Sequence, residues 1–172
     1  MKKGCVQVYT GEGKGKTTAA MGLALRAAGA GLNVFIAQFA KRGTYSEHKS
    51  LERLSDRITV RQYGLNGFIR NGASPEDREA ARRGLDEVGQ AMASGHYQVI
   101  IVDEGNIAPA LGLFPAEDLV HLIDARPEGV ELVLTGRRAA APVIARADLV
   151  TEMREVKHYY RSGVPAREGI ER

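Results

Sequence analysis

The chain has 172 residues, of which 44% are apolar, 26% charged and 6% aromatic, with no tryptophan. That is enough for one globular domain over 1–172, and the near balance of 24 basic against 21 acidic residues with ordinary apolar content excludes a disordered chain. No stretch nears the ~20 apolar residues that span a bilayer, no long apolar run follows Met1-Lys2-Lys3, and the lone Cys5 fits a reducing cytoplasm. The basic residues are dispersed, so neither a membrane nor a nucleic acid is an expected partner.

In chain order, short β-rich runs alternate with helical stretches. Strands are predicted over 5–10, 34–38, 58–63, 99–103, 131–135 and 149–153, and helices over 16–30, 46–53, 75–94, 115–125 and 140–147. Val99-Ile100-Ile101-Val102 lacks polar alternation, as a strand covered on both faces requires. The third helix has the clearest start: Ser74 can cap it, Pro75 suits its first turn, and Glu76 and Asp77 complement the dipole. Its Ala81, Leu85, Val88 and Met92 share one face. The stretch 64–73 reads as loop, and the polar tail after Lys157 as a surface wrap. The alternation predicts a three-layer α/β domain with a mostly parallel central sheet, and together with the glycine-lysine loop over 10–18 it makes the P-loop NTPase (RecA-like) class the expected fold.

The sharpest motif lies between the first strand and the first helix: Thr10-Gly11-Glu12-Gly13-Lys14-Gly15-Lys16-Thr17-Thr18. Glycines let backbone N–H groups close on phosphate oxygens, and the following helix N-terminus adds its own amides and dipole. Lys16 is the cation for the distal phosphates, and the Thr17 hydroxyl is placed to help hold Mg²⁺ (or Mn²⁺). The usual pattern opens on glycine, and Thr10 holds that place here. A second signal is the apolar strand ending in Asp103-Glu104. Carboxyl ends of parallel strands face the ligand, so one carboxylate is read as a Mg²⁺ ligand, while the other orients a nucleophile or secures the loop. At a third strand end, Thr135-Gly136-Arg137-Arg138, Arg137 or Arg138 offers a phosphate clamp. The four histidines show no metal-ligand spacing.

These residues resemble the ATP:corrinoid adenosyltransferases of the CobA/CobO/BtuR type. The likeness covers the loop with Ala19-Ala20-Met21-Gly22 and Arg26, then Ala37-Gln38-Phe39-Ala40-Lys41 and the run YQVIIVDEGN over 97–106. It continues through Asp124-Ala125-Arg126-Pro127, Leu134-Thr135-Gly136-Arg137 and Val156-Lys157-His158 to GVPAREGI over 163–170. The resemblance implies transfer of the 5′-deoxyadenosyl group of ATP to the Co(I) of a reduced corrinoid, with release of triphosphate. It implies that Lys16, Thr17 and Glu104 carry catalysis, that Thr17, Glu104 and Asp103 serve the metal, and that Gly11 to Thr18, Arg26 and Arg137 meet ATP. Family members use a Phe-x-Trp pair to strip the axial cobalt ligand; here the place reads Phe68-Ile69-Arg70, which makes Phe68 and Ile69 the corrinoid-binding candidates. A flavoprotein reductant and a homodimer are implied in the same way. The competing readings are a P-loop ATPase or nucleotide kinase, which would yield ADP, and a non-catalytic corrinoid or nucleotide carrier, which would bind without turnover.

Overall fold

The computed structural model describes residues 2–41, 43, 45–65, 69 and 72–171. Among the described residues, six strands form one sheet: β1 (Val6–Thr10), β2 (Val34–Gln38), β3 (Ile58–Gln62), β4 (Val99–Asp103), β5 (Glu131–Thr135) and β6 (Leu149–Glu152). Their order across the sheet is β3-β2-β4-β5-β1-β6, and every described pairing is parallel. The helices are α1 (Lys16–Gly29), α2 (Ser46–Leu51), α3 (Pro75–Ala93), α4 (Ala108–Leu111), α5 (Ala116–Asp124) and α6 (Ala141–Arg146). The stretch predicted as one helix over 46–53 is α2 running into a 3₁₀ turn, Glu52–Leu54. Two short elements carried no periodic signal: the single turn of α4, and a 3₁₀ turn at Tyr159–Ser162.

The strands alternate strictly between two cores. Val34, Ile36, Val99, Ile101 and Val133 meet Ala20, Met21, Ala24 and Ala27 of α1. Their neighbours Phe35, Ala37, Ile100, Val102, Leu132 and Leu134 meet the helices of the opposite face, among them α3 through Ala81, Leu85, Val88 and Met92. Complete burial of a side chain such as Ile36 or Ile101 contributes ~2–3 kcal/mol each, so the central strands anchor the fold. The Ser74 hydroxyl accepts the Asp77 N–H at 3.1 Å while the Asp77 carboxylate accepts the Ser74 N–H at 2.9 Å, a reciprocal cap that starts α3 at Pro75.

What positions the site is the connectivity. β1 and β5 are neighbours, yet the chain leaves β1 through α1 on one face and leaves β5 through α6 on the other. Their carboxyl ends therefore splay into a crevice, where open parallel sheets bind ligands. The ends of β1, β5 and β4 all open there, and α1 lies across β4 and β5.

Candidate active site

The loop from Gly11 to Gly15 is threaded along the end of β6. The Gly13 N–H donates to the Met153 carbonyl at 2.7 Å, and the Met153 N–H donates to the Thr10 carbonyl at 2.8 Å. A Cβ on Gly13 would stand 2.6 Å from that Met153 oxygen, so glycine is required by close backbone approach. Gly15 caps α1 at φ +113° and brings no side chain to its first amides. Lys16, only 8% exposed, donates its ammonium to the carbonyls of Gly11 at 2.8 Å and Gly13 at 2.6 Å. Burial pushes this ammonium below the ordinary lysine value; Glu104 opposes the shift and Arg137 adds to it. A desolvated cation between loop carbonyls is poised for an anion.

The acid centre sits at the end of β4. Asp103 is fully buried and accepts from four side chains. The hydroxyls of Thr135 (2.6 Å) and Thr17 (2.8 Å) donate to Oδ1, while Lys41 Nζ (2.8 Å) and Gln38 Nε2 (3.1 Å) donate to Oδ2. Burial alone would raise this carboxyl, but the Lys41 charge and the bonds from Lys41, Thr135 and Thr17 outweigh it and hold Asp103 below the ordinary aspartate value. Lys41 mirrors this: burial would lower it, and Asp103 and Glu104 outweigh burial and hold its ammonium above the ordinary lysine value. Behind Asp103, the Gln38 side-chain oxygen Oε1 accepts from Gln62 Nε2 at 3.2 Å and lies 2.7 Å from His48 Nε2, which ties α2 to the acid. Because the Gln38 amide nitrogen serves Asp103, its oxygen faces His48, and His48 Nε2 is the protonated nitrogen.

Glu104 differs from its neighbour. It is half-buried, adopts φ +58°, and its carboxylate lies on the cavity wall, 3.6 Å from Lys41 Nζ. The cavity, about 1110 Å³, is lined by the phosphate loop and the first turns of α1. Its other walls come from Lys41 and the start of α2, from Glu104 and Arg137, and from the C-terminal segment.

Most of the predicted residues converge here. Glu12, Gly13, Lys14, Gly15, Lys16, Thr17 and Thr18 line the cavity together with Glu104 and Arg137. Glu12 and Arg137 pair at 3.3 Å, both more than half exposed, a contact worth little to stability but one that keeps Arg137 over the loop. Arg26 stands apart, in the last turn of α1 and ten residues beyond Lys16, about 15 Å along the helix axis. Ile69 rests half-buried against the core on the α3 side, and Phe68 lies outside the described residues. Asp103 stays behind the wall as the anchor of the threonine and the lysine.

Sequence reasoning named Gln38 and Lys41 only within the family likeness and gave neither of them, nor His48, a role in the site. It also left the tail on the surface, whereas the tail forms part of the cavity wall: Lys14 Nζ donates to the Ile170 carbonyl at 2.7 Å and pairs with Glu171 at 3.5 Å. A possible signal for Lys41 was its place just beyond β2, the strand paired with β4.

Among the described residues no three His, Cys, Asp or Glu side chains converge to hold a metal. Mg²⁺ does not need such a cage, since it keeps waters and takes one or two carboxylates together with substrate phosphates. The Thr17 hydroxyl and the Glu104 carboxylate, both on the cavity wall, are a donor set of that kind.

A parallel sheet whose first strand turns through a glycine-lysine-threonine loop into a helix, with an acid at the end of a nearby strand, places the protein among the P-loop nucleotide-binding proteins. Comparison with known sequences narrows this. The sequence profile of the "ATP:corrinoid adenosyltransferase BtuR/CobO/CobP" family matches residues 2–172. The "Corrinoid adenosyltransferase" of Escherichia coli K12 is 34% identical over 172 residues, covering 99% of this chain and 86% of that protein. The "Corrinoid adenosyltransferase CobA" of Salmonella typhimurium LT2 is 35% identical over 173 residues, with 99% and 86% covered. The Pseudomonas aeruginosa "Corrinoid adenosyltransferase" is 31% identical over 171 residues, covering 99% of this chain and 84% of its own. The chain belongs to the ATP:corrinoid adenosyltransferase family.

Proposed function

We propose that this chain transfers the 5′-deoxyadenosyl group of ATP to the Co(I) of a corrinoid and releases triphosphate. The observation that carries the reading is a cavity lined by both a lysine-bearing phosphate loop and Glu104, in a chain matched to the family over 2–172. The substrate Co(I) gives its electron pair to C5′, the cobalt–carbon bond forms, and the C5′–O bond breaks with its electrons going to triphosphate. No proton moves at the nucleophile, so the protein has to align the reactants and neutralise the leaving group.

The loop amides and the Lys16 ammonium bind the triphosphate, and Arg137 reaches it from the end of β5. Thr17 and Glu104 would hold Mg²⁺, which supplies further charge neutralisation on the leaving oxygens. Asp103 fixes the Thr17 hydroxyl from behind. Arg26, remote on α1, has no such support from its position.

The electron that makes Co(I) is read as coming from a flavoprotein partner. Exposed Ile144 on α6 with Leu149 and Val150 on the edge strand β6 supports a homodimer. The single, half-buried Cys5 suits a cytoplasmic location, and no helix among the described residues is long and apolar enough to cross a membrane.

The test is anaerobic turnover of purified protein with MgATP and chemically reduced Co(I)alamin. Adenosylcorrinoid and triphosphate in equal amounts are expected. ADP and phosphate with no cobalt–carbon bond would replace this reading with that of an ordinary ATPase.

A further inference from the structure

Lys41 occupies the place that the site's chemistry gives to a cation. Its ammonium lies 2.9 Å from the Thr17 hydroxyl, 2.8 Å from Asp103 Oδ2 and 3.6 Å from Glu104 Oε1. Those are the hydroxyl and the acids assigned above to the metal and its support. The Thr17 hydroxyl has one proton and two lone pairs. The proton goes to Asp103, and Lys41 donates to a lone pair.

The backbone is built to bring the lysine there. Ala40, just before it, is held at φ +53°, a conformation that costs a non-glycine residue energy and persists only where the surroundings enforce it. Gly64 allows the close approach: a Cβ there would stand 2.5 Å from the Lys41 carbonyl oxygen and 2.6 Å from its nitrogen. The adjoining Phe39 N–H donates to the Asp103 carbonyl at 2.9 Å, which binds the start of this turn to the end of β4.

We propose that Lys41 and the divalent cation are alternative occupants of one acid pocket, so that metal entry releases the Lys41 ammonium into the cavity toward the triphosphate. The inference rests on reading Thr17 and Glu104 as the metal's residues. A monocation and a dication cannot share an oxygen in a half-buried site without strong repulsion. The lysine stem is flexible, and Lys41 already lies on the cavity wall, so the ammonium can turn from the acids to phosphate oxygens without backbone motion. Lys41 is in this sense a positioning residue: it holds the threonine and both acids in place before the metal arrives, and couples metal binding to nucleotide binding afterwards.

The experiment measures Mn²⁺ binding to the full chain without nucleotide, from the electron paramagnetic resonance signal of free Mn²⁺. Lys41→Met removes the charge and keeps the bulk; Lys41→Arg keeps the charge. Lys41→Met is expected to bind Mn²⁺ about tenfold or more tightly than wild type, and Lys41→Arg no more tightly than wild type. Equal or weaker binding by folded Lys41→Met would overturn the proposal. Wild-type protein carries an independent arm that does not depend on the variant folding: acetylation of Lys41 by acetic anhydride, read by mass spectrometry, is expected to rise when Mn²⁺ fills the site and to fall again on adding inorganic triphosphate. Unchanged acetylation at saturating Mn²⁺ would also overturn it. Absence of Mn²⁺ binding in every form, even with ATP, would remove the metal assignment and this inference together. Mn²⁺–Lys41 exchange without adenosyl transfer would support the inference and count against the proposed reaction alone.

Discussion

The Thr135 hydroxyl accepts the backbone N–H of Glu104 at 3.1 Å and thereby holds a glutamate at φ +58°. The same hydroxyl donates to Asp103 at 2.6 Å, so one buried threonine at the end of β5 fixes both acids at the end of β4. Thr135→Val keeps the shape and removes both bonds. It leaves the Glu104 amide without its acceptor and Asp103 Oδ1 with Thr17 as its remaining side-chain donor, and is expected to destabilise the protein by ~1–3 kcal/mol in urea unfolding. Turnover should fall more than stability alone explains, because Glu104 loses the contact that aims it.

The Lys41–Asp103 pair sets the pH dependence of stability. The Asp103 carboxyl is depressed below its ordinary 3.8, so its contribution is fully present above that value and is lost as pH falls through the folded value. Lys41 is raised above 10.5, so its contribution is fully present below that value and is lost as pH rises through the folded one. Unfolding by urea across pH should show Asp103→Asn flattening the acid arm and Lys41→Met flattening the alkaline arm. An acid arm unchanged in Asp103→Asn would refute the assignment of that arm to this carboxylate.

Two glycines of α3 should respond with opposite signs. Alanine ordinarily stabilises a helix interior by ~1 kcal/mol over glycine, and Gly89, with nothing within 4 Å of an added Cβ, is expected to follow that rule. At Gly84 the new Cβ would stand 2.6 Å from Tyr63 Cγ and 2.8 Å from Phe39 Cε1, so Gly84→Ala should destabilise by ~1–3 kcal/mol. Thermal melts of the two variants side by side decide it. Gly84 matters to the site because Phe39 lies between Gln38 and the Ala40–Lys41 turn.

Lys16→Ala is expected to lower kcat/KM by about 10³-fold or more, as loss of a charge-stabilising donor does. Binding of inorganic triphosphate, followed by calorimetry, should weaken in parallel. Retained triphosphate affinity would mean that the loop amides alone hold the phosphates.

The clamp between Lys14 and the tail predicts a change in protease sensitivity. Lys14→Ala removes the bond to the Ile170 carbonyl and the ion pair to Glu171, while Glu171 keeps Tyr159 and Arg167. Limited proteolysis should cut faster within 155–171 and at an unchanged rate elsewhere. An unaltered cleavage pattern would show that the tail is held without Lys14.

The strands were legible because a parallel sheet buried on both faces leaves continuous apolar runs: β2, β4 and β5 lie at their predicted residues, each buried along nearly all of its length. The phosphate loop was legible because its residues act within a few positions of one another. Lys41 was hidden by distance, since a lysine just past a strand reads as solvated until Asp103, 62 positions away, is brought beside it. His48 has the same history, because its partner Gln38 gains meaning only by paired register with Asp103. The tail read as surface wrap because Lys14 and Ile170 are 156 positions apart. Four residues of α4 are too few for a 3.6-residue period to show.

β1 is synthesised first and paired last. Its neighbours in the sheet are β5 and β6, so Val6 must wait for Leu132, and Thr10 for Glu152. At ribosomal speeds that interval is on the order of ten seconds, during which β1 has neither of its partners. The Gly13 amide likewise waits for the Met153 carbonyl before the phosphate loop takes its final shape. The phosphate loop thus reaches its final shape only when the sheet is complete, and a nascent or truncated chain ending before β6 lacks the carbonyl that holds it.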